Sequence, residues 1–173
     1  MPVKHEIDLL AALCTGKGAN IGCGNVPIAN SIGVDVCLTA KAASVFVDSW
    51  RLPFSDNSLD YIVSCASLEH MEVAPVLVLR EWARCLRVHG TLGIIVPDAA
   101  YGIWSMTGDT GKCGQLVKPR REMEHLHAFT VSSLKVLLEF AGFTPSVVHK
   151  VSRLPVRKET TLFAVGHKNE TYK

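Results

Sequence analysis

Short apolar runs alternate with amphipathic segments along this chain of 173 residues. The runs predict buried strands, because a parallel strand that is covered on both faces is almost wholly apolar. Turn-forming residues, as in the segment 52–58, separate several of the runs. The predicted strands cover 19–23, 32–36, 45–48, 60–64, 91–96, about 143–150 and about 160–166.

Three other segments carry apolar residues at helical spacing. These segments are 4–14, 75–88 and 131–141. Pro75 suits the first turn of the second helix, and Gly90 is predicted to cap its end. Thr130 is predicted to cap the start of the third helix, which Gly142 follows. Strands that alternate with helices in this way predict an α/β domain with a mainly parallel sheet.

The segment 98–126 shows little periodicity and contains several glycines. A segment of this length without regular structure is uncommon in a compact domain, and it is then usually a lid or a binding loop. The length of the chain suits one folding unit. We therefore expect a single domain over 1–173, in which 98–126 forms a loop over a binding site.

Composition and charge narrow the class of protein. Of the residues, 48% are hydrophobic and 20% are charged, and the net charge is +2. This balance is typical of a globular domain and gives no electrostatic case for a nucleic-acid or membrane partner. No apolar run approaches the ~20 residues that cross a bilayer, and residues 1–8 carry acids where a signal peptide needs apolar side chains. We expect a cytoplasmic protein.

A glycine turn, Gly22-Cys23-Gly24, follows the first predicted strand directly. Glycine allows a backbone to approach a ligand closely. Asp35 and Asp48 end the next two strands, where a carboxylate is placed to accept hydrogen bonds from a ribose. Because ligands bind beyond the carboxyl ends of the strands in such sheets, the pattern predicts a nucleoside-type cofactor. The residues expected at this edge are Gly22, Gly24, Asp35, Asp48, Cys65 and Asp98.

The connection after the glycine turn discriminates between cofactors. Val26-Pro27 stands where a dinucleotide site needs a third glycine, and only seven residues separate Gly24 from Ile32. The helix that would hold a pyrophosphate is therefore predicted to be shortened or missing. S-adenosylmethionine carries no phosphate and suits the site better. A nicotinamide-dependent oxidoreductase is the disfavoured alternative.

Several segments together carry a family resemblance. They are Asn20-Ile21-Gly22-Cys23-Gly24, Gly33-Val34-Asp35, the stretch 48–64, Ser67-Leu68-Glu69-His70-Met71 and the stretch 80–92. They resemble the class I S-adenosylmethionine-dependent methyltransferases, in the type-11 small-molecule branch. The resemblance runs from about residue 18 to 165, and the block at 48–92 is its specific part.

The resemblance implies a fold and an activity. The fold is a Rossmann-like three-layer sandwich, with a mainly parallel seven-stranded sheet whose last strand is antiparallel. The first helix after the glycine turn is shortened or missing. The activity is methyl transfer from S-adenosylmethionine to a small-molecule or saccharide-like acceptor, by in-line displacement. The alternative, from another class, is a non-catalytic regulatory or partner module that binds the same cofactor.

The resemblance also assigns cofactor-binding residues. Gly22 and Gly24, with Cys23 between them, lie against the methionyl portion. Asp35 binds the ribose hydroxyls and Asp48 lies near the adenine amine. Just past the fourth strand, Cys65 and Ala66 flank the cofactor.

Three histidines are candidates for a general base, because imidazole titrates near neutral pH: His127, His125 and His70. Each of them has a structural role as its alternative. A metal site made by His125 and His127 with Asp98 or Glu124 is disfavoured, since spacing fixes no third ligand, and we predict no metal site.

The acceptor is expected to contact five residues in or next to the long loop: Asp98, Tyr101, Trp104, Arg120 and Arg121. The two arginines would pair with an acidic acceptor. The two aromatic residues would form a wall of its pocket. Besides a small-molecule acceptor, a second copy of the chain or a partner subunit is left open.

Overall fold

The computed structural model describes residues 3–28, 30–100, 125–154 and 159–170. The helices are α1 (Lys4–Ala11), α2 (Pro75–Cys85) and α3 (Val131–Phe140), with a short 3-10 turn at Leu68–His70. The strands are β1 (Gly18–Ile21), β2 (Ser31–Asp35), β3 (Val45–Phe46), β4 (Leu59–Cys65), β5 (Leu86–Pro97), β6 (Phe143–Leu154) and β7 (Glu159–Lys168). Each predicted strand and helix has its counterpart, and the 3-10 turn was not predicted.

All seven strands form one sheet in the order β3-β2-β1-β4-β5-β7-β6. The pairs from β3 across to β5 are parallel, and β7 is antiparallel to both β5 and β6. The predicted sheet, with its last strand antiparallel, is confirmed. The chain runs outward from β1 to β3 and then returns to place β4 beside β1. In open α/β sheets a crevice forms at such a reversal, beyond the carboxyl ends of the strands.

Helices cover both faces of the sheet, which confirms the three layers. α2 and α3 bury Trp82, Leu79 and Leu134 against one face. α1 buries Leu10 against the other face, together with Tyr61. None of the helices in the described part of the chain is long and apolar enough to cross a membrane.

No helix lies between β1 and β2 among residues 22–28 and 30, where the backbone forms turns and extended segments. Side-chain contacts hold this connection instead. Ile28 is buried in the core cluster beneath α1. The Asn20 amide donates to the Val26 carbonyl at 3.1 Å, and the Asn25 side chain accepts from the Lys41 amide at 2.8 Å. The predicted loss of the helix after the glycine turn is therefore confirmed.

The predicted end of the second helix is wrong. α2 stops at Cys85 rather than at 88, and Gly90 lies within β5 instead of capping the helix. Leu86 is extended and pairs with Leu59 of β4, and its carbonyl accepts a 2.7 Å hydrogen bond from the buried Lys168 ammonium. Burial lowers the pKa of Lys168. Tertiary hydrogen bonds therefore override the helical periodicity of this segment.

α2 fixes the connection that follows β3. The Trp82 indole donates to the Ser49 carbonyl at 2.8 Å, and the Glu81 carboxylate accepts from the Leu52 amide at 2.8 Å. The Arg84 guanidinium donates to the Phe54 carbonyl at 2.9 Å. These bonds hold the residues next to Asp48 at the carboxyl edge of the sheet.

Trp82→Phe tests this clamp. The substitution keeps an aromatic ring in the core but leaves the Ser49 carbonyl without its donor, which costs about 1–2 kcal/mol. We expect the free energy of unfolding from urea titration to fall by that amount. The control is Phe140→Leu, at an exposed aromatic on α3, which should change the value by less than ~0.5 kcal/mol. Equal stabilities for Trp82→Phe and the unaltered protein would contradict the clamp.

Candidate active site

The crevice lies where β1 and β4 end side by side. The buried Ser64 hydroxyl of β4 donates to the Ile21 carbonyl of β1 at 2.9 Å. Gly22 follows with a φ of +69°, and a Cβ there would collide with the Ser67 side chain. The turn after β1 therefore lies directly against the residues after β4, which only glycine permits.

Gly24 has a different environment from Gly22. Its φ is +50°, and a Cβ at this position would meet no heavy atom within 4 Å. The backbone here borders open space at the carboxyl edge of the sheet. This is the geometry that a cofactor needs if it is to approach the main chain.

The Asp35 carboxylate organises the glycine turn. One of its oxygens accepts from the Gly24 amide at 2.8 Å, and the other accepts from the Cys37 amide at 2.8 Å. The side chain is only partly buried. A carboxylate offers about four lone-pair sites, so Asp35 retains acceptor capacity for ribose hydroxyls. The ribose-binding role of Asp35 stays a prediction, and nothing in the sequence indicated its hydrogen bonds to the glycine turn and Cys37.

Asp48 lies just beyond β3, on the strand next to β2. The Val47 amide donates to the Asp35 carbonyl at 3.1 Å, which continues the β2–β3 pairing as far as the two acids. The Ser49 hydroxyl donates to the Met71 sulfur at 2.7 Å. Asp35 and Asp48 thus lie at neighbouring positions along the predicted edge.

The remaining predicted cofactor residues are buried or form turns. Cys23 and Cys65 are both buried. Burial and the Asp35 charge raise the pKa of the Cys23 thiol to about 12, so it stays protonated at neutral pH. Ala66 has a φ of +50°, and its amide donates to the Ile95 carbonyl at 2.8 Å. This sharp turn directs the chain from β4 toward the 3-10 turn.

Two of the three predicted catalytic histidines come together. The rings of His70 and His125 have centroids 4.8 Å apart, and the buried carboxylate of Glu69 lies beside them. One potential ligand atom from each of these residues lies within 4.8 Å of the other two. We call Glu69, His70 and His125 the Glu-His-His cluster. Sequence reasoning assigned no role to Glu69, although it directly precedes His70.

His127 has a different environment. Its Nε2 donates to the Met71 carbonyl at 2.8 Å, which fixes the proton on that nitrogen. Only Nδ1 is then able to accept a proton. The assignment of His127 as general base stays a prediction, and its visible contact is structural.

Asp98 is buried at the end of β5, next to β7. Its carboxylate accepts from the Lys150 ammonium at 2.8 Å, the Thr160 hydroxyl at 3.1 Å and the Ala100 amide at 3.0 Å. Burial alone would raise the pKa of Asp98, but these donors outweigh it and hold the pKa below its ordinary value. Asp98 thus has a structural role in joining strands, and its substrate role stays a prediction.

The other predicted acceptor residues, Tyr101, Trp104, Arg120 and Arg121, lie outside the described residues, as does most of the segment 98–126. The disfavoured metal set of His125 and His127 with Asp98 or Glu124 is not supported by the visible contacts. His127 bonds to the Met71 carbonyl and Asp98 pairs with Lys150, while Glu124 also lies outside the described part.

One family model matches part of the chain. Residues 13–94 match a family model described as a methyltransferase domain. Over these residues the chain is similar to methyltransferase domains. The match begins before β1 and ends within β5, so it includes the glycine turn, Asp35, Asp48 and the Glu69-His70 pair. No curated protein matches the chain in sequence.

Solved structures share the fold of this chain. A complex between the Haloferax volcanii Trm112 methyltransferase activator and a methyltransferase matches with a TM-score of 0.73 and 16% identity, covering 96% of this chain and 88% of that one. An S-adenosylmethionine-dependent methyltransferase from Thermotoga maritima matches with a TM-score of 0.70 and 21% identity, and the match covers 95% of this chain and 88% of that one. A third match is Burkholderia thailandensis 1,6-didemethyltoxoflavin-N1-methyltransferase, with bound 1,6-didemethyltoxoflavin and S-adenosylhomocysteine. Its TM-score is 0.68 at 18% identity, and the match covers 96% of this chain and 78% of that one.

The crevice at the carboxyl edge of the sheet fits S-adenosylmethionine. The space above Gly24 admits a ligand next to the main chain. The half-buried Asp35 carboxylate is anchored by two amides and keeps lone pairs for the ribose. The cofactor carries no phosphate, so the lack of a helix among the described residues between β1 and β2 removes no phosphate-binding site that it needs.

Gly24→Ala tests the space above the glycine turn. Alanine at a positive φ costs about 1 kcal/mol, and the added methyl enters open space. We expect the protein to fold and its affinity for S-adenosylhomocysteine to fall at least tenfold in calorimetric titration. Gly142→Ala is the matched control, because Gly142 also has a positive φ but follows α3. An equal affinity in the two variants would remove Gly24 from the binding site.

Asp98→Asn tests the buried acid through pH. A carboxyl whose pKa is depressed on folding stabilises the protein above its unfolded pKa of about 3.9, and the contribution is lost as the pH falls through the folded value. We expect Asp98→Asn to lower the free energy of unfolding by about 2 kcal/mol at pH 7. Below pH ~4 the difference should shrink. A difference that is independent of pH, or one that the exposed Asp8→Asn reproduces, would count against the assignment.

Proposed function

We propose that this protein transfers a methyl group from S-adenosylmethionine to a small-molecule acceptor, with saccharide-like molecules in the expected range. The observation that carries the proposal is the pairing of open space at Gly24 with an anchored, partly exposed carboxylate at Asp35. The two lie at the reversal point of the sheet, where ligands of such folds bind.

Different residues of the crevice would bind different parts of the cofactor. Gly22 and Gly24 would let the main chain approach the methionyl portion, and Asp35 would accept from the ribose hydroxyls. Asp48 would lie near the adenine amine. Ala66, whose strained turn follows β4, would flank the cofactor together with Cys65. When bound, S-adenosylmethionine supplies an electrophilic methyl carbon, whose bond to sulfur breaks with its electron pair as the acceptor's lone pair bonds to carbon.

The protein's own contribution is positioning. Holding two reactants in line is worth about 7–11 kcal/mol of the barrier. The acceptor is proposed to lie on the β4 side, next to the 3-10 turn Leu68–His70. The support is that Ser67 contacts the glycine turn while the Glu-His-His cluster begins two residues later. A proton released by the acceptor would leave toward this cluster.

A second candidate is a non-catalytic module that binds the same cofactor and acts with a partner subunit. The missing helix between β1 and β2 favours it, because this helix would otherwise cover part of the cofactor site. The Haloferax volcanii structure is a complex between a methyltransferase activator and a methyltransferase, and this chain is similar to it in fold. The two candidates differ in turnover rather than in binding.

The test is turnover with methyl-labelled S-adenosylmethionine against hydroxyl, amine and saccharide acceptors. We expect labelled product together with an equal amount of S-adenosylhomocysteine. Asp35→Ala should weaken S-adenosylhomocysteine binding at least tenfold, or about 1.4 kcal/mol, because the ribose loses its acceptor. Asp8→Ala, at an exposed carboxylate on α1, is the control and should bind like the unaltered protein.

The results separate the candidate functions. Binding of S-adenosylhomocysteine without product across the panel would favour the non-catalytic module. Binding of NAD with no affinity for S-adenosylhomocysteine would instead identify an oxidoreductase. Unchanged affinity in Asp35→Ala would overturn the role of that residue.

A further inference from the structure

We propose that the Glu-His-His cluster binds a divalent transition-metal ion such as Zn²⁺. The cluster consists of Glu69 and His70, on the 3-10 turn after β4, and His125, which is far from them in sequence. One carboxylate oxygen and one nitrogen from each imidazole converge there. Two histidines and one glutamate form a known ligand set for catalytic zinc, which keeps a further position for water or substrate.

The spacing of the donor atoms suits a small cation. Ligands about 2.0–2.1 Å from a tetrahedral ion lie about 3.3 Å from one another. The Glu69 oxygen and the His70 Nε2 are 3.8 Å apart, and all three donors lie within 4.8 Å of one another. The first separation is longer than a hydrogen bond and close to the distance between two ligands of one ion. Side-chain rotation closes the remaining difference of about 0.5–1.5 Å.

Backbone hydrogen bonds hold the two halves of the cluster together. The amides of Leu126 and His127 both donate to the Glu69 carbonyl, at 2.8 and 3.1 Å. The His127 ring adds a third bond, to the Met71 carbonyl. Hydrogen bonds thus join the segment 69–71 to the segment 125–127, which together carry the three donor side chains. His127, which was predicted to be catalytic, is in this account a positioning residue for His125.

Burial and charge favour a cation. Glu69 is 1% exposed and His125 is 5% exposed. A buried carboxylate is costly unless a positive charge compensates it. A divalent ion would add positive charge beside this carboxylate and the two imidazoles. The proposal departs from the sequence-based expectation of no metal site, which considered His125 with other partners.

The role of the ion in catalysis rests on the proposed function, whereas the binding of the ion to the Glu-His-His cluster does not. A metal at this edge would bind the hydroxyl oxygen of the acceptor and lower its pKa, so that the hydroxyl proton leaves to solvent before the oxygen takes the methyl group. His70 and His125 would then serve as ligands rather than as general bases. The inference therefore specifies an acceptor that is methylated on the oxygen of a hydroxyl group, and this hydroxyl binds the ion.

The test uses the full chain, stripped with a chelator and titrated with Co²⁺. We expect one equivalent of Co²⁺ to produce the visible d–d absorption of a nitrogen- and oxygen-ligated site, and Zn²⁺ to abolish it. Glu69→Gln, His70→Ala and His125→Ala should each weaken Co²⁺ binding at least tenfold. Glu69→Gln keeps the size of the side chain, and circular dichroism checks that it folds. His5→Ala, which removes an exposed histidine, is the control.

The outcomes are distinct from those of the proposed function, because S-adenosylhomocysteine binding is measured on the same samples. Unaltered cofactor affinity in a Glu69→Gln protein that has lost Co²⁺ binding supports the metal site. A folded protein that binds S-adenosylhomocysteine but gives no Co²⁺ absorption overturns it. So does absorption that survives in Glu69→Gln and disappears in His5→Ala. Metal binding without cofactor binding would instead reject the proposed function alone.

Discussion

The two hydrogen bonds that Asp35 accepts are the constraint on which the candidate site depends. A Rossmann-like edge is usually stiffened by a helix between the first two strands, and the described part of that connection contains none. The Asp35 carboxylate replaces this support, because it joins the Gly24 amide to the Cys37 amide across the end of β2. One side chain therefore shapes the glycine turn and, in the proposed function, would also bind the ribose.

Contacts in the core and from the helices hold the carboxyl edge of the sheet in place. Ile28 inserts into the core beneath α1 and anchors the short connection where a helix would have packed. On the opposite face α2 holds the segment after β3 through Trp82 and Glu81. The close approach of Gly22 to Ser67 brings the turn after β1 against the residues after β4. Each contact is ordinary in strength, at about 1 kcal/mol for a hydrogen bond, and together they position the strand ends.

Local pattern and chain length predicted most of the fold. Apolar runs located the strands because buried parallel strands have few polar positions, and the seven-residue link before Ile32 predicted the missing helix because a short link cannot contain one. The end of α2 was mispredicted, since the Lys168 bond to the Leu86 carbonyl is a contact between distant residues. The meeting of Glu69 with His125 was unpredictable for the same reason. Neither spacing nor periodicity encodes it.

The central claim is that the crevice between β1 and β4 holds S-adenosylmethionine through Asp35. A crystal structure of the chain with S-adenosylhomocysteine tests it most directly. The account predicts the ribose hydroxyls within hydrogen-bond distance of the Asp35 carboxylate, with the methionyl portion over Gly24 and the sulfur facing the β4 side. A ligand bound elsewhere on the protein, or a ribose in the crevice that does not contact Asp35, would contradict it.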